Sequence, residues 1–252
     1  MPRILLEACV DTLRSCVAAA SGGADRLELC DNLSDGGTTP SAGLVGMALE
    51  RVGIPVFPIV RVRGGGFVYD DDEREAMLRD LAHFRTVGAP GAVIGALTEI
   101  GTIDRTFVAR CQDIAGTMSL TFHRAFDVTR DPSEALEMLI ALGIPRVLTS
   151  GAAPTAWEGR TTLAELVDEA DAHITVMAGG GIREEHVAEL VEATRVREVH
   201  VRGTMPWRDA REWDAPAIPF RRALPDDELL RWETDPVRIA AIRAALTTGT
   251  DS

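Results

Sequence analysis

Residues 3–30 read RILLEACVDTLRSCVAAASGGADRLELC, and this stretch decides the fold. It contains the pattern Glu-x-Cys twice, as Glu7-Ala8-Cys9 and Glu28-Leu29-Cys30. Each copy closes a short apolar run with the look of a strand. Side chains two apart on a strand share a face, so each carboxylate lies beside its thiol. Residues 11–22 between the copies have a helical pattern, which makes the two runs parallel neighbours. Two carboxylates and two thiols then converge at one end of one sheet. That constellation points to a soft-metal site or to an acid/base site.

The same alternation continues along the chain. Apolar runs at 4–9, 26–30, 55–62, 92–97, 119–123, 146–150, 174–178 and 198–202 predict eight strands. Amphipathic stretches at 11–21, 41–51, 72–87, 104–115, 132–142, 161–170, 184–193 and 235–246 predict eight helices. Asp131-Pro132 places proline in a first helical turn, and Gly53, Gly88, Gly116 and Gly143 each follow a helical pattern. Eight strands alternating with eight helices in 252 residues predict a single-domain α/β protein, a (β/α)8 TIM-type barrel. A doubly wound open sheet is the second choice. It usually carries a glycine-rich turn after its first strand, and here that strand ends in Cys9-Val10-Asp11. Residues 203–233 are irregular and hold Trp207, Trp213 and Trp232. They read as a loop extension over the barrel mouth or against another subunit.

Composition narrows the function. Hydrophobic residues make up 46% of the chain, enough for a full core. No apolar run reaches membrane-spanning length and the N-terminus has no signal-peptide pattern, so a cytoplasmic protein without a membrane partner is expected. Four cysteines without a C-x-x-C do not make a disulfide framework or a zinc ribbon. The formal charge of −13 argues against nucleic acid as a partner. All 26 basic residues are arginine. Without lysine, Schiff-base chemistry and pyridoxal-phosphate anchoring are excluded.

In such barrels the chemistry sits at the C-terminal strand ends. Glu7 and Cys9 share a face there, as do Arg26, Glu28 and Cys30, Arg61 and Arg63, Thr121 and His123, and Glu198, His200 and Arg202. Residues of the opposite parity are mostly apolar, which suits contact with the surrounding helices and turns the polar set into the barrel. His123, Glu28 and Glu7 are the candidate acid/base groups. Arg26, Arg61, Arg63 and Arg124 are candidate anion-binding groups, with Ser150 and the turn Gly179, Gly180 and Gly181. Pairing of these glutamates with these arginines is the plainer structural reading, because buried charges need partners.

The stretches 6–11 and 22–30 together resemble the CutC copper-homeostasis family. Residues 36–41, 59–65, 95–99, 121–127, 146–151 and 179–182 extend the resemblance, which covers roughly 4–202. It departs at Ala178, where the family usually has proline, and at Arg202, where a small residue is common. The resemblance implies a cytoplasmic, oligomeric barrel that handles copper, with Cys9 and Cys30 as candidate Cu(I) ligands. Cys16 and Cys111 fall within helices and are poor candidates. The alternative is an acid/base or metal-assisted enzyme acting on a small anionic metabolite, a phosphate or a carboxylate, at the barrel mouth. A scaffold whose Trp-rich segment docks a partner is a third reading.

Overall fold

The computed structural model describes residues 3–210 and 229–248. Eight strands form one parallel sheet: β1 Leu5–Val10, β2 Arg26–Leu29, β3 Val56–Pro58, β4 Gly91–Ile94, β5 Ser119–Phe122, β6 Arg146–Thr149, β7 Thr175–Gly179 and β8 Glu198–Val201. Helices α1 Leu13–Ser21, α2 Ala42–Arg51, α3 Asp71–Thr86, α4 Arg105–Ala115, α5 Pro132–Ala141, α6 Arg160–Ala170 and α7 Val187–Thr194 alternate with them, and α8 Pro236–Thr248 comes last. The strand order is β3-β2-β1-β8-β7-β6-β5-β4. A bridge between Ile59 and Val93 joins the two ends, so the sheet is a nearly closed barrel.

The helices start where local chemistry satisfies their first N–H groups. Asp70 and Glu73 form a capping box on α3. Asp131 caps α5, accepting from the Ser133 and Glu134 amides with Pro132 in the first turn. The predicted helix from 184 begins only at Val187, because 183–186 turn first and no side chain caps the start. Gly179, Gly180 and Gly181 therefore do not sit on a helix N-terminus. The run predicted as 55–62 pairs as a regular ladder only to Pro58, which has no N–H to donate. Beyond it Ile59 N donates to Leu29 O, and Val60 N to Val93 O at 2.7 Å, closing the barrel.

Strand parity divides the core in two. Leu6, Ala8, Leu27, Leu29, Phe122 and Val199 face outward and are buried against the helices. Cys9, Cys30, Leu33, Phe57, Ile59 and Val93 form a separate apolar cluster inside the barrel. Val62, expected with the outward apolar set, is exposed instead, beyond the end of β3.

The extension expected at 203–233 opens and closes as an antiparallel ribbon, β9 Thr204–Arg208 with β10 Leu230–Thr234. Glu233 accepts from Thr12 Oγ1 at 2.8 Å and Ser15 Oγ at 2.7 Å, which ties the ribbon to α1. Arg14 lies over the Trp207 ring at 3.9 Å. Trp213 lies outside the described residues.

Candidate functional site

The register of three strands builds the site. Glu7 stands opposite Arg26 on one side and His200 on the other, and Cys9 stands opposite Glu28. All these side chains point into the barrel.

Its lower layer is an ion network. Arg26 Nε bonds Glu7 and its Nη2 reaches Glu198 Oε2 at 2.6 Å. Arg146 grips Glu198 with two bonds, at 2.6 and 3.1 Å. Arg26 is 4% exposed and lies over the Phe57 ring. Of the two roles expected for Arg26, anion ligand and partner of a glutamate, it takes the second: it holds two glutamates, and Glu7 is its counterion rather than a free acid or base. Burial pushes the Glu7 carboxyl up, but Arg26 and His200 outweigh it and bring its pKa down to about 2.

The layer above carries the thiols. Cys9 Sγ and Cys30 Sγ are 3.8 Å apart, and Cys30 Sγ lies 3.5 Å from Glu28 Oε2. The donor atoms of Cys9, Glu28 and Cys30 all fall within 4.8 Å of one another, and all three residues are buried. His200 Nδ1 bonds Glu7 Oε1 at 2.8 Å and its Nε2 lies 3.7 Å from Glu28 Oε2. The Cys30 thiol and His200 hold Cys9 well below the usual thiol range, against burial. The bond to Cys9 and burial push Cys30 up. Burial and the Cys9 charge push Glu28 up. His200, pushed down by burial, is raised overall by Glu28, Cys9 and Glu7. The sequence places His200 in phase with Glu198 and Arg202 but assigns it no role; its part depends on lying opposite Glu7, which is 193 residues away. Cys16 and Cys111 are buried in helices, where burial pushes both thiols up, Cys16 to about 12.

A cavity of about 680 Å³ opens above this layer. Cys9, Glu28 and His200 form part of its floor, and Trp232 of the ribbon stands at its edge. On the β3–β5 side, His123 and Arg61 both pack on Phe67, each 5.1 Å from the ring centroid. His123 fits because Gly95 has no side chain: a Cβ there would lie 2.3 Å from the imidazole. The Ala125 amide donates to His123 Nδ1 at 3.1 Å, which fixes the proton on Nε2. Burial and the Arg61 charge push the ring pKa down to about 3. With Nδ1 occupied, the neutral His123 ring has only its Nε2 proton to offer, so of the acid/base roles expected from sequence the geometry leaves that of a hydrogen-bond donor.

The other expected residues separate. Arg61 is buried and donates to the carbonyls of Asp35, Gly37 and Gly65. Arg63 turns away to Glu73. Arg124 lines the cavity but is neutralised by Asp127 at 2.6 Å. Asp127 also accepts from the Ser150 amide and hydroxyl, so Ser150 is consumed in bracing that loop. Gly180 and Gly181 line the cavity, whereas Gly179 is the last residue of β7, packed on Leu148 and His200.

Comparison with known proteins gives the family. The CutC family profile matches residues 4–205. A CutC family protein of Chromobacterium violaceum is 43% identical over 248 residues, covering 96% of this chain and 98% of that protein. A human relative named copper homeostasis protein cutC homolog is 46% identical over 196 residues, covering 78% of this chain and 72% of its own length. The solved structure of a CutC protein from Streptococcus agalactiae superposes with a TM-score of 0.75 at 34% identity, over 79% of this chain and 98% of that one. No helix among the described residues is long and apolar enough to cross a membrane. With its barrel, its paired Glu-x-Cys strand ends and relatives that match across most of its length, the chain belongs to the CutC family.

Proposed function

We propose that this chain serves copper homeostasis in the cytoplasm, as a homo-oligomer, by holding Cu(I) between Cys9 and Cys30. The observation that carries the reading is the 3.8 Å separation of the two thiols. At metal–thiolate bonds of about 2.3 Å, the zinc value, two sulfurs up to about 4.6 Å apart can share one ion. Soft thiolates favour Cu(I) over hard divalent cations. Glu28 stands within reach as a third donor. Leu33, Phe57, Ile59 and Val93 pack with the pair, and both thiols are nearly covered.

Anaerobic titration of Cu(I) into reduced protein against a competing chelator tests this. One equivalent binds tightly to the wild type, and Cys9→Ser/Cys30→Ser weakens binding by about a hundredfold or more. Retention of wild-type affinity in the double variant removes the site. Glu28→Gln weakens binding less than either serine substitution, because a carboxylate is a poor ligand for a soft ion.

A further inference from the structure

We propose that the cavity above the thiol pair is a binding site for a small organic anion, bearing phosphate or carboxylate, whose oxygens meet His123 Nε2 and Arg61 and whose charge faces Arg183 and Arg202. This site does not depend on the copper reading.

The argument starts from two unsatisfied cavity-wall donors. His123 is 4% exposed, its Nδ1 is taken by the Ala125 amide, and its Nε2 has no partner among the described residues. A neutral imidazole in this tautomer can only donate at Nε2, so the missing partner is an acceptor. Arg61 is 5% exposed and its Nε is also without a partner. Its Nη atoms donate to carbonyls, the Tyr69 side chain lies close enough to interact with it, and no carboxylate lies within ion-pair distance among the described residues. The same barrel shows how a buried arginine is otherwise treated: Arg26 is held by two glutamates. A buried cation left without a counterion is costly unless an anion joins it. Both side chains stack on Phe67, so the two donors belong to one wall.

The surroundings agree. Arg183 and Arg202 also line the cavity, are exposed, and have no ion-pair partner among the described residues. Arg124 and Arg238 do have partners, Asp127 and Glu184. The chain carries −13 overall, so a mouth whose Arg183 and Arg202 lack an ion-pair partner among the described residues is not a by-product of general basicity. About 680 Å³ is also far more than a bare ion needs and lies within the range of small-molecule sites.

Calorimetric titration of the full-length protein at low ionic strength, with inorganic phosphate, glycerol 3-phosphate and succinate as probes, tests the proposal. At least one probe binds saturably, and the pattern separates phosphate from carboxylate recognition. His123→Phe weakens that binding about tenfold or more. Arg183→Gln/Arg202→Gln weakens it and flattens its salt dependence. If His123→Phe fails to fold, the nitrogen-15 resonance of His123 Nε2 in the wild type decides, moving on probe binding. Cys9→Ser/Cys30→Ser retains anion binding even if it loses copper, which keeps the two readings apart. Absence of saturable binding by all three probes overturns the proposal, as does binding indifferent to both His123→Phe and the double arginine variant.

Discussion

Arg26→Met destabilises the fold by about 3–5 kcal/mol, most of the stability of an ordinary domain. The guanidinium sits inside the barrel between Glu7 and Glu198. Methionine fills comparable volume but leaves both buried carboxylates short of a counterion. Glu198 keeps Arg146 and Glu7 keeps His200, so the network is weakened rather than emptied. Urea unfolding measures the effect, and a loss under about 1 kcal/mol contradicts it. Adding Glu7→Gln to Arg26→Met recovers part of the loss, because one unpaired charge is removed.

The same pair sets an acid limb. Glu7 has a folded pKa of about 2 against an ordinary value of 4.5. A carboxylate with a depressed folded pKa stabilises the fold above its unfolded pKa, and that contribution disappears as pH falls toward the folded value. Stability from this group is therefore full above about pH 5 and falls by about 3 kcal/mol by pH 2. In Arg26→Met that decline shrinks. Glu28 has the opposite sign: its carboxyl is pushed up, so its contribution is present at low pH and declines above pH 4.5. The two windows separate in a pH series of urea midpoints.

Gly151→Ala is the second large effect, a loss of about 2–5 kcal/mol. Gly151 has φ +73, a left-handed conformation that costs any other residue. A Cβ there would also lie 2.3 Å from the carbonyl oxygen of Gly159. The obstacle is backbone, so no rotamer change relieves it. The loop after β6 must shift, which pulls Ser150 from Asp127 and loosens Arg124 at the cavity. Thermal melting shows the loss as a drop of roughly 10 °C. Gly46→Ala is the contrasting control. Gly46 lies within α2 with nothing near its missing Cβ, so alanine raises stability by roughly 0.5–1 kcal/mol.

Much of the barrel is legible in the chain because its signals are local. Asp131-Pro132 starts α5 through its own side chain and ring. Glu7 and Cys9 share a face by strand geometry alone, as do Arg26, Glu28 and Cys30. Phe84 of α3 and Phe107 of α4 are buried in the core, as apolar periodicity requires. The places where reading stayed open or failed are those where a distant partner intervenes. For Arg26 the chain leaves two readings open, an anion ligand or a partner for a glutamate, and the register decides for pairing by setting it opposite Glu7 and within reach of Glu198, 172 residues away. His123 looks like an acid/base group until the Ala125 amide takes its Nδ1 and leaves Nε2 as a donor. Arg63, in phase with Arg61, leaves the site because Glu73 at the start of α3 captures it.

From sequence alone, then, come the eightfold alternation, the strand faces and the meeting of two Glu-x-Cys ends, since a strand's period of two and a helix's 3.6 are properties of the backbone. Only the tertiary structure decides that the two thiols stand 3.8 Å apart, that Glu7 is paired with Arg26 and that Arg61 has no carboxylate partner among the described residues. Those outcomes depend on the registers that join β1 to β2 and β8 and on the loops that close over their ends. Register and closure are set by hydrogen bonds between residues tens to hundreds of positions apart, and no local pattern encodes them.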